Sequence, residues 1–355
     1  CIRDRGYRDP QVFNSRWVGS VTYTTGPLTE SFFVAASRPL YSIDSKWSFG
    51  GHVYTTDQII RRFENGDESS RFGKDQITVH GFVKRSFGER FKKTNVKFSL
   101  GYLKKDFSPL GSATTEPIPE DQANVTPVIK ISKVSTGSFK EVTYLNKMGL
   151  TEDIWLGHSY GVNVGYGIPV ENGFELWDVG GFYSSSVSFK YKQQLKTVLN
   201  ISSEVVRNTI AIASLRYYKK FSWHTVATRF KANYGWELDP SRQFTLGAAS
   251  GLRGYPARQF TGERLMLVNL EDRQFWGNYS LGPKFALGTV VFVDSGNVWK
   301  ETEDVDLNDL NWSAGAGLRL GWSNLPKQPI LRIDFGWALD GSDEFAVTIG
   351  MEQHF

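Results

Sequence analysis

Cysteine is almost missing from this 355-residue chain; the single one is residue 1, so no internal disulfide can form. Long apolar runs are missing as well. None approaches the roughly 18 residues that a membrane-crossing helix requires, and mean hydropathy is −0.33. Neither sign of charge dominates, and a net charge of +4 gives no footing for nucleic acid as a partner. The five histidines are scattered, with no two at ligand spacing, so neither a metal nor a cofactor is expected. These absences exclude a disulfide scaffold and a helical membrane protein. They leave open a membrane β-barrel, whose polar lumen-facing residues dilute its mean hydropathy.

What is present is aromatic and alternating. Phe, Trp and Tyr make up 14% of the chain, a load that suits interfacial girdles. Near the end, Phe345, Val347, Ile349, Met351 and Phe355 share one face while Ala346, Thr348, Gly350, Glu352 and His354 share the other. A period of two with one apolar row marks a strand between an apolar and a polar environment. Ile154, Leu156, His158, Tyr160, Val162, Val164 and Tyr166 repeat the rhythm. So does a stretch from Val187 to Ile201, where Lys190, Lys192 and Lys196 oppose the apolar row. Lysines at alternate positions fit a water-filled lumen better than a packed core.

Counted along the chain, the pattern predicts an all-β, transmembrane antiparallel barrel of about 16 strands, the least distinct being a sixth near Val142 and Tyr144. Long polar segments at 56–75, 104–138, 238–262 and 299–310 read as outer connections. The connections near 146–152, 218–222, 277–284 and 323–328 are short and fall on the periplasmic side, as bacterial barrels require. Residues 1–15, rich in charge, read as a periplasmic lead-in, and 16–355 as the barrel. Cys1 at the head of a chain that does not begin with Met fits lipidation after removal of a signal peptide, or the cut edge of something longer.

The outer segment 238–262 contains Leu252-Arg253-Gly254-Tyr255, in which glycines at 251 and 254 let the chain reverse sharply and present Arg253 at a tip. Acidic partners are available at Glu271 and Asp294. The tetrapeptide resembles the (V/L/I)-R-G-(F/Y) tip of the sixth outer loop in the BamA/TamA-type outer-membrane insertase and translocase superfamily. Further resemblances follow in that family's order. They are Asn269-Leu270-Glu271, Phe292–Trp299 with Val293-Asp294-Ser295-Gly296, Ser313–Arg319, Leu331–Gly336 and the aromatic C-terminus.

The resemblance implies that the loop folds back into the lumen with Arg253 engaging Glu271 and Asp294. It implies a closing seam between the first and last strands, with Gly350 and Phe355 at that seam. It also implies a bacterial outer-membrane location, contact with outer-membrane lipid, and a non-enzymatic part in inserting or translocating client polypeptides, or in moving lipid. The sequence has no room ahead of the barrel for POTRA domains, so periplasmic or lipoprotein partner subunits are expected. Two other readings stand beside this one. The barrel could be a structural subunit of a larger complex, or the membrane anchor of a fused enzyme such as a patatin-like phospholipase.

Two stretches imitate chemistry. Gly157-His158-Ser159-Tyr160-Gly161 matches the G-x-S-x-G of serine hydrolases, but that motif works only at a strand-to-helix turn, and these residues lie inside an unbroken alternation. Glu301, Glu303, Asp304, Asp306 and Asp309 read as a solvated outer loop rather than a cation site.

Overall fold

The computed structural model describes residues 3–110, 118–143, 145–148, 150–171, 173–189, 193–204, 207–280, 284–322 and 329–355. Its strands are β1 (Arg3–Asp9), β2 (Val18–Gly26), β3 (Thr29–Arg38), β4 (Trp47–Glu64), β5 (Asp67–Phe87), β6 (Lys92–Pro109) and β7 (Gln122–Thr143). They continue as β8 (Thr151–Pro169), β9 (Leu176–Phe189), β10 (Gln193–Glu204), β11 (Arg207–Lys220) and β12 (His224–Trp236). Within the long connection lie β13 (Phe244–Leu246) and β14 (Phe260–Gly262). The series ends with β15 (Arg264–Ser280), β16 (Lys284–Trp299), β17 (Asn311–Trp322), β18 (Ile330–Ala338) and β19 (Phe345–Met351).

Setting aside β1 and the small β13–β14 hairpin, sixteen strands pair antiparallel with their neighbours in chain order. The alternation explains the wall. Val79, Val162, Val291, Val347 and Ile349 are among a continuous outward row of exposed apolar side chains, Ile349 reaching 70%. In water that row would be a patch far larger than soluble monomers tolerate. Facing inward are His80, Lys97, Lys130, Asn163, Arg229, Glu271, Asp294 and Asp334.

The boundaries differ from the expectation along the wall and at both termini. The segments 56–75 and 104–138 are mostly strand, because β4, β5, β6 and β7 run 18 to 22 residues. A barrel strand needs only about 9–11 to cross the apolar layer, so these ladders continue past the point where apolar alternation stops. The β4–β5 turn is only Asn65-Gly66, both at positive φ (51° and 88°), the geometry of a tight hairpin. The weak sixth strand near Val142 is the end of β7. The single strand expected over 187–201 is two, β9 and β10. The Lys190, Lys192 and Lys196 side chains lie outside the described residues, as does Cys1.

The other two corrections concern the termini. Residues 3–9 are not a lead-in at one end of the wall. They form β1, antiparallel to β2 in the register Arg3↔Thr25 through Asp9↔Gly19, so the chain crosses the wall once before β2 begins. At the far end, β19 stops at Met351. Glu352 takes φ +69° and its N–H donates to the Ile330 carbonyl at 2.6 Å. This turn sends 353–355 inward, so Phe355 is buried in the lumen instead of standing in the seam.

Candidate functional site

The connection from β12 to β15 enters the lumen and lies along the inner faces of β15 to β18. Leu252 and Tyr255 are buried with Leu246, Leu265, Leu267 and Val298, an apolar anchor shared between loop and wall. Gly254 sits at φ +102°, and a Cβ there would come within 2.9 Å of the Trp337 backbone. Gly336 on β18 answers it, since a Cβ on that residue would reach the Gly254 nitrogen at 2.6 Å. The loop thus touches the wall backbone to backbone, which only glycine on both sides permits. Tyr255 fixes the exit by donating from its hydroxyl to the Trp312 carbonyl at 3.0 Å and to Asp340 at 3.2 Å.

Between these anchors Arg253 is fully buried. Its Nε and Nη2 donate to the two oxygens of Asp294 at 2.7 and 2.8 Å, and its backbone N–H adds a third bond to Asp294 at 3.2 Å. Nη1 donates to Glu271 at 2.6 Å and reaches Asp334 at 3.5 Å. The guanidinium carbon lies over the Phe292 ring, 3.5 Å from its centre. Fork, carboxylates and ring together form a charge-assisted, fully desolvated clamp.

The clamp extends beyond the three residues that the motif pointed to. Asn269 donates to the Gly251 carbonyl at 2.8 Å and to Asp294 at 2.6 Å, and accepts two bonds from Arg229. Asp334 receives Arg319 at 2.6 Å and Arg332 at 2.9 Å. Glu271 also receives Arg273 at 2.8 Å, and Arg273 donates onward to the main-chain oxygens of Leu145 and Phe355, both at 2.9 Å. Asn269, Arg319, Arg332 and Asp334 lay inside the motif segments but were given no partner there, and Arg273 showed only a charge on the polar side of an alternating strand. Their cross-strand neighbours become visible only once register is known.

Arg273 links the loop to a second stopper at the opposite end of the lumen. There residues 145–148 turn inward, and Glu152 accepts from the backbone N–H groups of Leu145, Asn146 and Lys147 at 3.0, 2.8 and 3.0 Å. Leu145 packs with Ile154, Tyr218, Ala227 and Phe355. Gly350 has a local duty: it pairs with Arg332, and a Cβ there would meet that guanidinium at 2.9 Å. The G-x-S-x-G match lies mid-strand on β8, paired on both sides. The acidic residues 301–309 hold their own turn, Asp306 capping a short 3-10 segment, and no metal-holding cluster occurs among the described residues.

This is a β-barrel whose lumen is stoppered by an arginine-tipped loop. Residues 182–352 match the Omp85 superfamily domain, in keeping with the motifs around Arg253. The BamA structure from Haemophilus ducreyi lacking POTRA domains 1–3 is similar at 12% identity and a TM-score of 0.54, over 99% of this chain and 69% of that one. CdiB from Acinetobacter baumannii is similar at 13% identity and a TM-score of 0.49, over 99% of this chain and 56% of that one. At 12% identity the likeness to BamA is one of fold. No curated protein matches.

Proposed function

We propose that this chain is a non-enzymatic protein of the bacterial outer membrane that assists insertion or translocation of polypeptides, or movement of lipid, at the edge of its barrel wall. Periplasmic or lipoprotein subunits would deliver the client. The lumen supports this reading by being a poor conduit, with stoppers from both ends meeting through Glu271 and Arg273. Work would then fall to the wall.

The observation that carries the reading is the edge of β2. Its partner on one side is β3 and on the other β1, over Gly19–Thr25. A strand has two hydrogen-bonding edges, so β19 and β1 compete for the same one. β1 is a poor strand for that place. Register puts Arg5 beside Tyr23 on the outward face, where an arginine costs up to about 2–4 kcal/mol at mid-bilayer. A short, charged, exposed strand is held weakly, and an incoming strand could replace it by pairing with β2.

Tyr7 and Val21 are direct partners and both face outward, so the double variant Tyr7→Cys, Val21→Cys can be locked by oxidation and released by reductant. In liposomes holding the barrel, an unfolded outer-membrane protein should gain protease protection faster than in empty liposomes. Oxidised double variant should lose that gain and recover it on reduction. Equal rates in both redox states would remove β1 displacement from the mechanism. No acceleration by the unlocked barrel, together with stoichiometric partners in mild detergent, would favour the structural-subunit reading.

A further inference from the structure

On the wall opposite the clamp, β5, β6 and β7 carry three lysines in one hydrogen-bonded row. Lys84 stands directly across from Lys97, and Lys97 directly across from Lys130. Cross-strand partners have Cβ atoms about 4.5–5.5 Å apart, and like charges so placed repel. None of the three has a carboxylate partner among the described residues. Lys97 and Lys130 instead lie over the rings of Phe82 and Phe182, at 4.7 and 4.6 Å from the centroids. Both lysines line a cavity of about 600 Å³, which Arg242 from the lumen loop also borders. Asp178 is the one acid in that lining, and its Oδ1 already accepts from Asn163 at 3.0 Å.

Lys97 and Lys130 on the chamber wall, with Lys84 next in the same row and no carboxylate among the described residues paired to any of the three, form a site lacking its counter-charge. We propose that this chamber binds phosphoryl groups, either as free phosphate esters or as the headgroup of an anionic lipid. A phosphoryl group, monoester or diester, offers at least two anionic oxygens, enough for lysines on neighbouring strands to donate to it at once. The cavity is the right size for a headgroup, with the acyl chains left outside. This inference is independent of the proposed role of β1.

The test uses the full chain folded in a maltoside detergent, which carries no phosphate. Inorganic pyrophosphate and, separately, dihexanoyl phosphatidylglycerol below its micelle concentration are titrated by calorimetry at fixed ionic strength in chloride. At least one probe should bind saturably, and Lys97→Gln with Lys130→Gln should weaken it by about tenfold or more. Lys300→Gln, on the surface beside Glu64, should leave it unchanged. Pyrophosphate binding identifies a free phosphate site, whereas binding of the lipid alone identifies a headgroup site.

Without anion, the double variant should melt no lower than the wild type, because a like-charge contact has been removed. Wild type itself should melt higher with the bound probe. Absence of saturable binding by either probe, or unchanged affinity in the double variant, would overturn the proposal. If the variant does not fold, the wild-type melting shift decides alone.

Discussion

Arg253 is the residue on which the loop's position depends. Its removal leaves Asp294 and Glu271 buried with part of their compensation gone, and breaking such a pair costs about 3–5 kcal/mol. Arg253→Ala should therefore lower the unfolding free energy by that amount in urea titrations of the detergent-solubilised barrel. Arg253→Lys should lose less, because charge is retained but the two-pronged bond to Asp294 is not. Arg253, Glu271 and Asp294 were legible because the Leu252–Tyr255 turn and two acids occur in an ordered set of motifs. Asp334 and Arg319 stood inside the same set of motifs, but their pairing with each other and with the clamp was not legible, since a charge on a polar row is what any wet lumen would show.

His354 adds a dependence on pH. Burial, and then the nearby Arg253, hold its imidazole well below the ordinary value, with Arg229, Arg332 and Glu271 also facing it. Unfolded, it titrates near about 6.5. Below that pH the unfolded chain takes up a proton that the folded one resists, so stability is intact above and falls as the solution is acidified. Unfolding at pH 7.5 and at 5.5 should show a loss on acidification that is smaller in His354→Gln. An equal loss in both proteins would assign it to other groups.

At the scale of elements, alternation located the wall but misjudged its edges. Strands over 154–166 and 345–351 were readable because lipid and water impose opposite demands on successive residues. β4 and β5 outrun that signal, and there the Asn65-Gly66 pair is the feature that marks the hairpin. β1 was unreadable by periodicity, since Arg3, Arg5, Tyr7 and Asp9 on one face do not form an apolar row. The inward tail was hidden for the opposite reason: Phe355 is in phase with Met351, yet the positive φ of Glu352 breaks the strand between them.

Phe355 is then core, not seam. Its ring packs with Leu145, Ile154 and Tyr218 and lies 4.8 Å from the Arg273 guanidinium. Phe355→Ala should cost about 3–5 kcal/mol, and protease access to residues 145–148 should rise with it. Glu152→Gln weakens the same stopper by another route, replacing a charged acceptor of three backbone N–H groups. It should cost roughly 1–3 kcal/mol.

Seen whole, the molecule is uneven around its circumference. The wall from β15 to β18 is backed by the loop, a dense ion cluster and apolar anchors. Opposite, β5 to β8 face an open chamber of about 600 Å³. The loop spans the two halves, since Gln243 exchanges two hydrogen bonds with the Phe63 backbone and Arg62 donates to the Pro240 carbonyl at 2.7 Å. Such bracing explains how 27 residues, 237–263, can be ordered inside a lumen while containing only two three-residue strands.

A loop held across the lumen by the Arg253 clamp should leave the barrel non-conducting. Single-channel recording in planar bilayers tests it directly. The wild-type barrel should stay near baseline with rare openings, and Arg253→Ala should show sustained conductance as the loop leaves its seat. Steady porin-like current through the wild type, or identical traces from the two proteins, would contradict the account.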